Sequence, residues 1–144
     1  MKFAVVPAYN EEKNIKDVVK RLRKLNFKVL VVDDGSKDNT YKLAKEAGAI
    51  VIRHDINKGK GEALKTAFEY LKGKRVKYVV IIDADMQYLP EEAPKLLECI
   101  DKGEADIVMG YRNWREVPFR HKLGNFVWRK FFNILFGTKF KDTN

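Results

Sequence analysis

Two aspartates after an apolar segment are the residues whose type and spacing point most directly to chemistry. Asp83 and Asp85 follow the apolar run 79–82, which is typical of a strand buried on both faces. Residues i and i+2 of an extended chain point the same way, so the spacing predicts that both carboxylates face one ligand. Two like charges held this close need a cation or a proton between them, and oxygen ligands suit Mg²⁺ or Mn²⁺. Gln87 is next in phase and is a candidate neutral ligand. The alternative is a turn in which one aspartate caps the following helix.

Polar clusters follow two earlier apolar segments as well. Tyr9-Asn10-Glu11 comes after the first and Asp33-Asp34 after the second, while a glycine-rich basic loop, 57–61, precedes a helical segment. Each cluster alone is consistent with a helix cap or a turn. Together they favour a nucleotide site, because the carboxyl ends of parallel strands meet at one edge of the sheet, where open α/β sheets bind ligands.

The elements that must position these residues alternate along the chain. Apolar segments predict five strands, at 2–6, 27–32, 49–53, 77–82 and 106–109. Amphipathic helices are predicted between them, the first with Asn10 as its N-cap and the last beginning at Pro90. Strands alternating with helices through short loops predict an α/β fold with a doubly wound, mainly parallel sheet and helices on both faces.

The last quarter of the chain differs in composition from the rest. Residues 111–144 hold eight Lys and Arg against two acids, so they carry +6 of the net charge of +9, and they hold nine of the seventeen aromatic residues. Such a segment can attract phosphorylated small molecules, anionic lipid or nucleic acid. We therefore divide the chain into an α/β core, 1–110, and a basic, aromatic segment of the same domain, 111–144. Its helical stripe, 119–136, predicts either a helix in a membrane interface or one packed on the sheet.

Composition also bears on the compartment. The single cysteine, Cys99, excludes an intramolecular disulfide and fits a reducing environment. The sequence shows no signal peptide and no apolar run near the ~20 residues of a membrane span. We expect a cytoplasmic protein, peripheral at the cytoplasmic face of the membrane if the basic segment binds lipid.

Five segments occur in the order of a known family. They are PAYNE at 7–11, VDDGSKDNT at 32–40, NKGKGEA at 57–63, DADMQ at 83–87 and GYR at 110–112. With these motifs the chain resembles family 2 glycosyltransferases of the GT-A fold, and it is most similar to the dolichyl- or polyprenyl-phosphate sugar synthases. The resemblance extends over essentially the whole chain. The family's relatives continue beyond the point that corresponds to Asp142, so we expect that this chain is either truncated or an unusually short member of the family.

The resemblance implies a role for each matching residue. The catalytic residues would be Asp83, Asp85 and Arg112, and the metal ligands Asp83, Asp85 and Gln87. Arg112 and Arg120 would bind the acceptor phosphate. Lys60 fits the helix surface equally well. The nucleotide pocket would be formed by Pro7, Ala8, Tyr9, Glu11, Asp33, Asp34, Lys60, Asp83 and Ala84.

The implied reaction is an inverting, metal-dependent transfer of a hexose from GDP-mannose or UDP-glucose to a polyprenyl (dolichyl) phosphate. A phosphate acceptor is already ionised at pH 7 and needs no general base, and no Glu-Asp pair follows the Asp-x-Asp segment to serve a hydroxyl acceptor. Two alternatives stay open: a family 2 enzyme with a saccharide or other hydroxyl acceptor, and a truncated nucleotide-sugar-binding domain without activity. A phosphoacceptor receiver domain and a nucleotidyltransferase fit the order of the motifs less well. Nucleic acid is not an expected partner, because acidic strand ends repel its backbone.

Overall fold

Four parallel strands in the order β3-β2-β1-β4 form the sheet of the computed structural model, which describes residues 1–110. The strands are β1 (Lys2–Ala8), β2 (Lys28–Asp33), β3 (Ile50–Arg53) and β4 (Tyr78–Ile81). The helices are α1 (Ile15–Lys24), α2 (Thr40–Glu46), α3 (Lys60–Leu71) and α4 (Ala93–Asp101), the last preceded by a 3-10 turn at Pro90–Glu92.

Alternate residues of each strand point to opposite faces of the sheet, and both faces are buried at the central strands β1 and β2, whereas Ile50 of β3 and Ile81 of β4 are 38% and 45% exposed. One face packs against α1, α2 and α4, and the strands contribute Ala4, Val6, Val29, Val31 and Val80 to it. The other face packs against α3, and the strands contribute Phe3, Val5, Leu30 and Val32 to it. The continuous apolar character of the strands follows from burial on two faces. The predicted fold class, a doubly wound parallel sheet with helices on both faces, is confirmed.

The order of the strands reverses between β1 and β4. The chain moves outward from β1 through β2 to β3, then returns to pair β4 with the other side of β1. In open α/β sheets, ligands bind outside the carboxyl ends of the strands at such a reversal. Ala8 pairs with Asp33, which pairs with Arg53, so the ends of three strands are level. The topology therefore predicts a ligand site at the loops after β1 and β4.

The predicted fifth strand is not formed in the part of the chain that the structure describes. Asp106–Met109 has no regular secondary structure, and Ile107 and Met109 are 82% and 77% exposed. A strand is stabilised by a neighbouring ladder and by side chains packed on a face. Within residues 1–110 the segment has neither, although its apolar side chains fit the pattern of a strand. The prediction for residues 106–109 is wrong here.

The sequence also predicts that the chain has no membrane span and that the stripe 119–136 lies either in a membrane interface or on the sheet. Among residues 1–110, no helix is long and apolar enough to cross a membrane. The whole basic segment 111–144 lies outside the described residues, and with it the predicted stripe 119–136, Arg112, Arg120 and Asp142.

Candidate functional site

The loop after β1 is fastened to the loop after β2. The backbone N–H of Asn10 donates to Ser36 Oγ (2.9 Å), and the N–H of Lys37 donates back to Asn10 Oδ1 (2.9 Å). The N–H of Glu11 donates to Thr40 Oγ1 (2.8 Å). These reciprocal bonds join two loops that are more than 25 residues apart in the sequence. They give the loop after β1 a defined position at the edge of the sheet.

Asn10 therefore does not cap α1. The helix begins at Ile15, and Asn14 occupies the N-cap position. Asn10 instead adopts a left-handed backbone with φ of 55°. Asparagine favours both helix caps and left-handed turn positions, and sequence alone did not separate the two.

The predicted nucleotide-binding residues of this loop differ in exposure. Pro7 is half-buried and Ala8 is buried, both at the end of β1. Tyr9 is 42% exposed, which is unusual for a large aromatic side chain. Glu11 is half-buried, and its Oε2 accepts from Asn14 Nδ2 (3.3 Å). Tyr9 thus presents an exposed ring beside the strand reversal.

Asp33 is enclosed by its own loop. Its side chain is fully buried, and Oδ1 accepts the N–H of Ser36 (3.1 Å). Oδ2 lies 3.3 Å from Nε of Arg53, but it accepts no well-aligned hydrogen bond from residues 1–110. Arg53 also donates to the Ser36 carbonyl (2.8 Å). Arg53 therefore supplies the positive charge that Asp33 needs in a buried position.

Asp34 forms a buried brace under the loop after β3. Its Oδ1 accepts from Lys58 N–H (2.9 Å) and from His54 Nδ1 (2.7 Å), and its Oδ2 accepts from Gly59 N–H (2.7 Å). With Nδ1–H donated to Asp34, Nε2 of a neutral ring accepts from the Thr66 hydroxyl (3.0 Å). Burial alone would raise the pKa of Asp34, but the donors from Lys58, His54 and Gly59 outweigh it and lower that pKa below its ordinary value.

Both aspartates thus lie at the predicted edge of the sheet. Their carboxylate oxygens bind loops, and they are buried rather than open to a ligand. A direct contact of Asp33 or Asp34 with a base or ribose stays a prediction. Their visible role is to position the loops that surround the site.

Sequence reasoning missed Arg53 and His54. Arg53 ends β3 and His54 follows it at the same edge of the sheet, since Arg53 pairs with Asp33 and the N–H of His54 donates to the Asp33 carbonyl (2.9 Å). The rule that polar residues gather at the carboxyl ends of parallel strands applied to this strand too. It would have placed both residues beside the acidic pair.

Gly35 allows the loop after β3 to cross the loop after β2. Its φ is +72°, and a Cβ there would lie 2.6 Å from the Ile56 carbonyl carbon and 2.7 Å from the Asn57 nitrogen. We expect Gly35→Ala to lower the free energy of unfolding by about 1–3 kcal/mol, because backbone atoms must move and the left-handed conformation is strained. Urea denaturation measures this change.

Gly61→Ala is the matched control for that substitution. Gly61 lies in α3, where a Cβ meets nothing within 4 Å. The control should stabilise the helix by about 0.5–1 kcal/mol. Equal unfolding midpoints for the two variants would contradict the close approach at Gly35.

The acidic segment after β4 is a turn and not an extended strand. The strand ends at Ile81, and Met86 has a φ of +61°. The N–H of Gln87 donates to Asp85 Oδ1 (3.0 Å). The argument from strand phase is therefore wrong, because residues 83–87 do not alternate as in a strand. The predicted ligand role of Gln87 loses that support and stays a prediction.

We define the acidic turn as residues 83–85, and its three residues differ in exposure. Ala84 is buried in the core, Asp83 is half-buried and Asp85 is exposed. The buried methyl group of Ala84 anchors the turn between the two carboxylates. Ala84 is predicted as a nucleotide-binding residue, but the residue is only 2% exposed, so its contact with a nucleotide stays a prediction.

Lys60 joins the acidic turn from α3. Its Nζ lies 2.7 Å from Oδ1 and 2.8 Å from Oδ2 of Asp83. Lys60 is the first residue of α3, directly after the loop that Asp34 braces. The structure thus brings together two residues that are 23 positions apart and that the sequence placed in one site.

The acidic turn fits a divalent cation with oxygen ligands. Within residues 1–110, no group of three or more His, Cys, Asp and Glu side chains is placed to hold a metal ion. The protein would then supply two carboxylates, Asp83 and Asp85. Mg²⁺ characteristically takes one or two carboxylates and completes its coordination with substrate phosphates and water. The donor set matches that chemistry.

A groove of about 680 Å³ lies apart from these residues, on α3. Its lining is mainly apolar and includes Leu64, Phe68 and Val76. None of the predicted site residues lines it. The acidic turn, and not this groove, carries charged groups suited to a diphosphate and its metal.

Comparison with known proteins agrees with this geometry. A model of the family described as Glycosyl transferase family 2 matches residues 3–142. The chain belongs to glycosyl transferase family 2. The suspected family is therefore confirmed.

Two curated relatives of this family 2 protein act on lipid-linked phosphates by name. The UDP-N-acetylglucosamine–dolichyl-phosphate N-acetylglucosaminyltransferase of Methanococcus voltae is 34% identical over 85% of this chain and 58% of its own length. The dolichol-phosphate mannosyltransferase of Pyrococcus furiosus is 36% identical over 83% of this chain and 36% of its own length. The chain thus spans about half of these relatives, or less.

A solved structure confirms the GT-A fold of the family 2 chain. Glucosyl-3-phosphoglycerate synthase from Mycobacterium tuberculosis, in complex with Mn²⁺, UDP-glucose and phosphoglyceric acid, has a TM-score of 0.61 and 31% sequence identity. The match covers 72% of this chain and 40% of the synthase. In that protein the fold holds a divalent metal together with a nucleotide sugar.

Proposed function

We propose that the chain carries out an inverting, metal-dependent transfer of a hexose from a nucleotide diphosphate sugar to a polyprenyl phosphate. The observation that carries the proposal is the acidic turn at the carboxyl end of β4, beside β1 at the strand reversal. GDP-mannose and UDP-glucose are the donors that we propose to test. Mg²⁺ or Mn²⁺ is the proposed cofactor.

On the donor side, each loop has a distinct task. The exposed Tyr9 ring and the half-buried Glu11 carboxylate would line the nucleoside. Asp83 and Asp85 would hold the divalent ion, which as a Lewis acid offsets charge on the departing diphosphate. Lys60 would add a second positive charge beside the same phosphates. The reciprocal bonds between the loops after β1 and β2 hold the backbone around Tyr9 and Glu11 in place before the donor binds.

On the acceptor side, the proposal rests on the relatives and on charge. Both named curated relatives use a dolichyl phosphate. A phosphate acceptor is ionised at neutral pH, so it can attack without a general base. We assign acceptor phosphate binding to Arg112 and Arg120. Residues 119–136 of the basic, aromatic segment would contact anionic headgroups at the cytoplasmic face of the membrane.

A second candidate acceptor is a small phosphorylated acid with a hydroxyl group. The solved synthase that matches the fold binds phosphoglyceric acid together with UDP-glucose. This candidate shares the donor site and differs only in the acceptor. Assays with polyprenyl phosphate in detergent and with phosphoglyceric acid in buffer separate the two.

Calorimetric titration of the 144-residue chain with GDP, UDP, GDP-mannose and UDP-glucose, each with and without Mn²⁺, tests the donor site. We expect one base to bind and to require the metal. Transfer of the radiolabelled sugar of that nucleotide to polyprenyl phosphate then tests the reaction. Absence of metal-dependent binding for all four ligands would overturn the proposed donor site.

A further inference from the structure

The Lys60 ammonium occupies the position where a divalent ion would approach Asp83. Its Nζ is within 2.8 Å of both carboxylate oxygens, and these are the oxygens that a metal would use. We infer that Lys60 is a resident counter-cation of the acidic turn, which the metal displaces and which the donor diphosphate then binds. In this way Lys60 couples metal binding to nucleotide binding. The inference rests on the proposed function, since it presumes a nucleotide diphosphate at the acidic turn.

The charges of the acidic turn, Lys60, the metal ion and the diphosphate explain why binding of the metal and binding of the nucleotide would depend on each other. Two carboxylates and one ammonium leave the acidic turn with a net charge of about −1. A diphosphate that arrives alone meets this negative charge. A divalent ion that arrives alone displaces Lys60 and leaves an ammonium without a partner beside a dication. When both ligands arrive, the ammonium moves to the phosphates, and every charge has an opposite neighbour.

The backbone next to Lys60 is anchored, whereas its side chain is exposed to solvent. Asp34 holds the N–H groups of Lys58 and Gly59 at 2.9 and 2.7 Å, so the backbone entering α3 is anchored. The Lys60 side chain itself is 57% exposed, and that of Asp83 is 35% exposed. A long, solvated side chain on an anchored residue can exchange partners without movement of the helix.

The exposure of the pair also sets the size of the effect. Exposed ion pairs contribute little, so the contact with Lys60 should weaken the affinity for the metal by about two- to fivefold.

The test measures Mn²⁺ binding by electron paramagnetic resonance of the free ion, with the 144-residue chain and its Lys60→Met variant. Methionine keeps much of the side-chain volume and removes the charge. Without nucleotide, we expect Lys60→Met to bind Mn²⁺ about two- to fivefold more tightly. With Mn²⁺ present, we expect it to bind GDP or UDP more weakly, by about tenfold, because a charge beside the diphosphate is lost.

Lys65→Met is the matched control. Lys65 lies on the same helix, is similarly exposed and pairs with Glu62 at 3.3 Å. Lys65→Met should change neither the affinity for Mn²⁺ nor the affinity for GDP or UDP by more than about twofold. Equal or weaker Mn²⁺ binding by Lys60→Met would overturn the role as a counter-cation. Unchanged nucleotide binding by that variant would overturn the transfer to the diphosphate.

The unaltered chain distinguishes these failures from failure of the proposed function. If it binds neither GDP nor UDP in the presence of Mn²⁺, the donor site itself is wrong. If it binds one of them with Mn²⁺, and Lys60→Met behaves like Lys65→Met, only the inference about Lys60 falls.

Discussion

Asp83→Asn is expected to reduce the Mn²⁺-dependent affinity for nucleotide by about 100-fold or more, the scale of loss when a fixed electrostatic group in a site is removed. The substitution keeps the size of the side chain, so the turn around the buried Ala84 should persist. It removes a charged metal ligand, and it also releases Lys60 from its ion pair. Calorimetry with and without Mn²⁺ measures the loss.

Asp85→Asn should act in the same direction. Asp85 is exposed and lies two residues further along the turn. Its Oδ1 accepts the N–H of Gln87, and asparagine can keep that bond through its amide oxygen. The variant therefore isolates the charge from the local structure. Metal-dependent binding that survives both substitutions would place the cation elsewhere.

Glu62→Gln is the control for the loss of a negative charge near the site. Glu62 lies in the first turn of α3, two residues after Lys60, and pairs with Lys65. Its removal changes the local field without touching the acidic turn. We expect a change in nucleotide affinity of less than about twofold, as for other exposed charges.

The scaffold could be predicted because its signals are local and repeated. The segment 29–32 is apolar without alternation and is buried on both faces, as a parallel sheet with helices on both sides requires. The run 79–82 carries the same pattern, but its burial is incomplete because Ile81 is 45% exposed. The edge where the polar clusters gather then follows from topology alone. The segment 106–109 has a similar apolar pattern, but Ile107 and Met109 are exposed and pack on no buried element among residues 1–110. An apolar pattern therefore predicts a strand only where a neighbouring element covers it.

The geometry of the acidic turn could not be predicted in the same way. The expectation of strand phase assumed an extended chain through Gln87, but the backbone turns at Met86 into a left-handed conformation. Nothing in the residue type of methionine requires this conformation. The contact between Lys60 and Asp83 likewise depends on how α3 is anchored, and that is decided by residues from three different loops.

Asp34 shows how a motif residue can act through structure. Two adjacent aspartates after a strand suggested ligand contacts, because carboxylates at that edge are rarely buried without a partner. The partners of Asp34 are His54 and two backbone N–H groups more than 20 residues away. Such long-range pairing is invisible in a single sequence. The loss of Asp34 should therefore damage the fold as well as the site.

Asp34→Ala is expected to lower the free energy of unfolding by about 3–5 kcal/mol, as when one partner of a buried charged network is removed. The change leaves His54 Nδ1 and the N–H of Lys58 without the Asp34 acceptor, and it leaves the N–H of Gly59 with only the longer contact to Asn57 Oδ1 (3.1 Å). Urea denaturation measures the loss. Hydrogen exchange should show faster exchange at the two N–H groups. Asp38→Ala is the control for a less buried carboxylate, which accepts from the N–H and hydroxyl of Thr40 and from the N–H of Glu12, and it should cost less, about 1–2 kcal/mol.

The pH dependence of the unfolding free energy separates the contribution of the Asp34 charge from that of its side-chain shape. Asp34→Asn is the variant for this test, because it keeps the shape of the side chain and removes the charge. The donors around Asp34 hold its pKa below the ordinary 3.8 despite burial, which alone would raise that pKa. A carboxyl whose pKa is lower in the folded state stabilises that state above the unfolded pKa, and this contribution is lost as the pH falls through the folded pKa. The difference in unfolding free energy between the unaltered chain and Asp34→Asn should therefore stay constant from pH 7 to about 5 and shrink below about pH 4. A difference that grew on acidification would mean that Asp34 is protonated in the folded protein, and the brace would then be a neutral hydrogen-bond network.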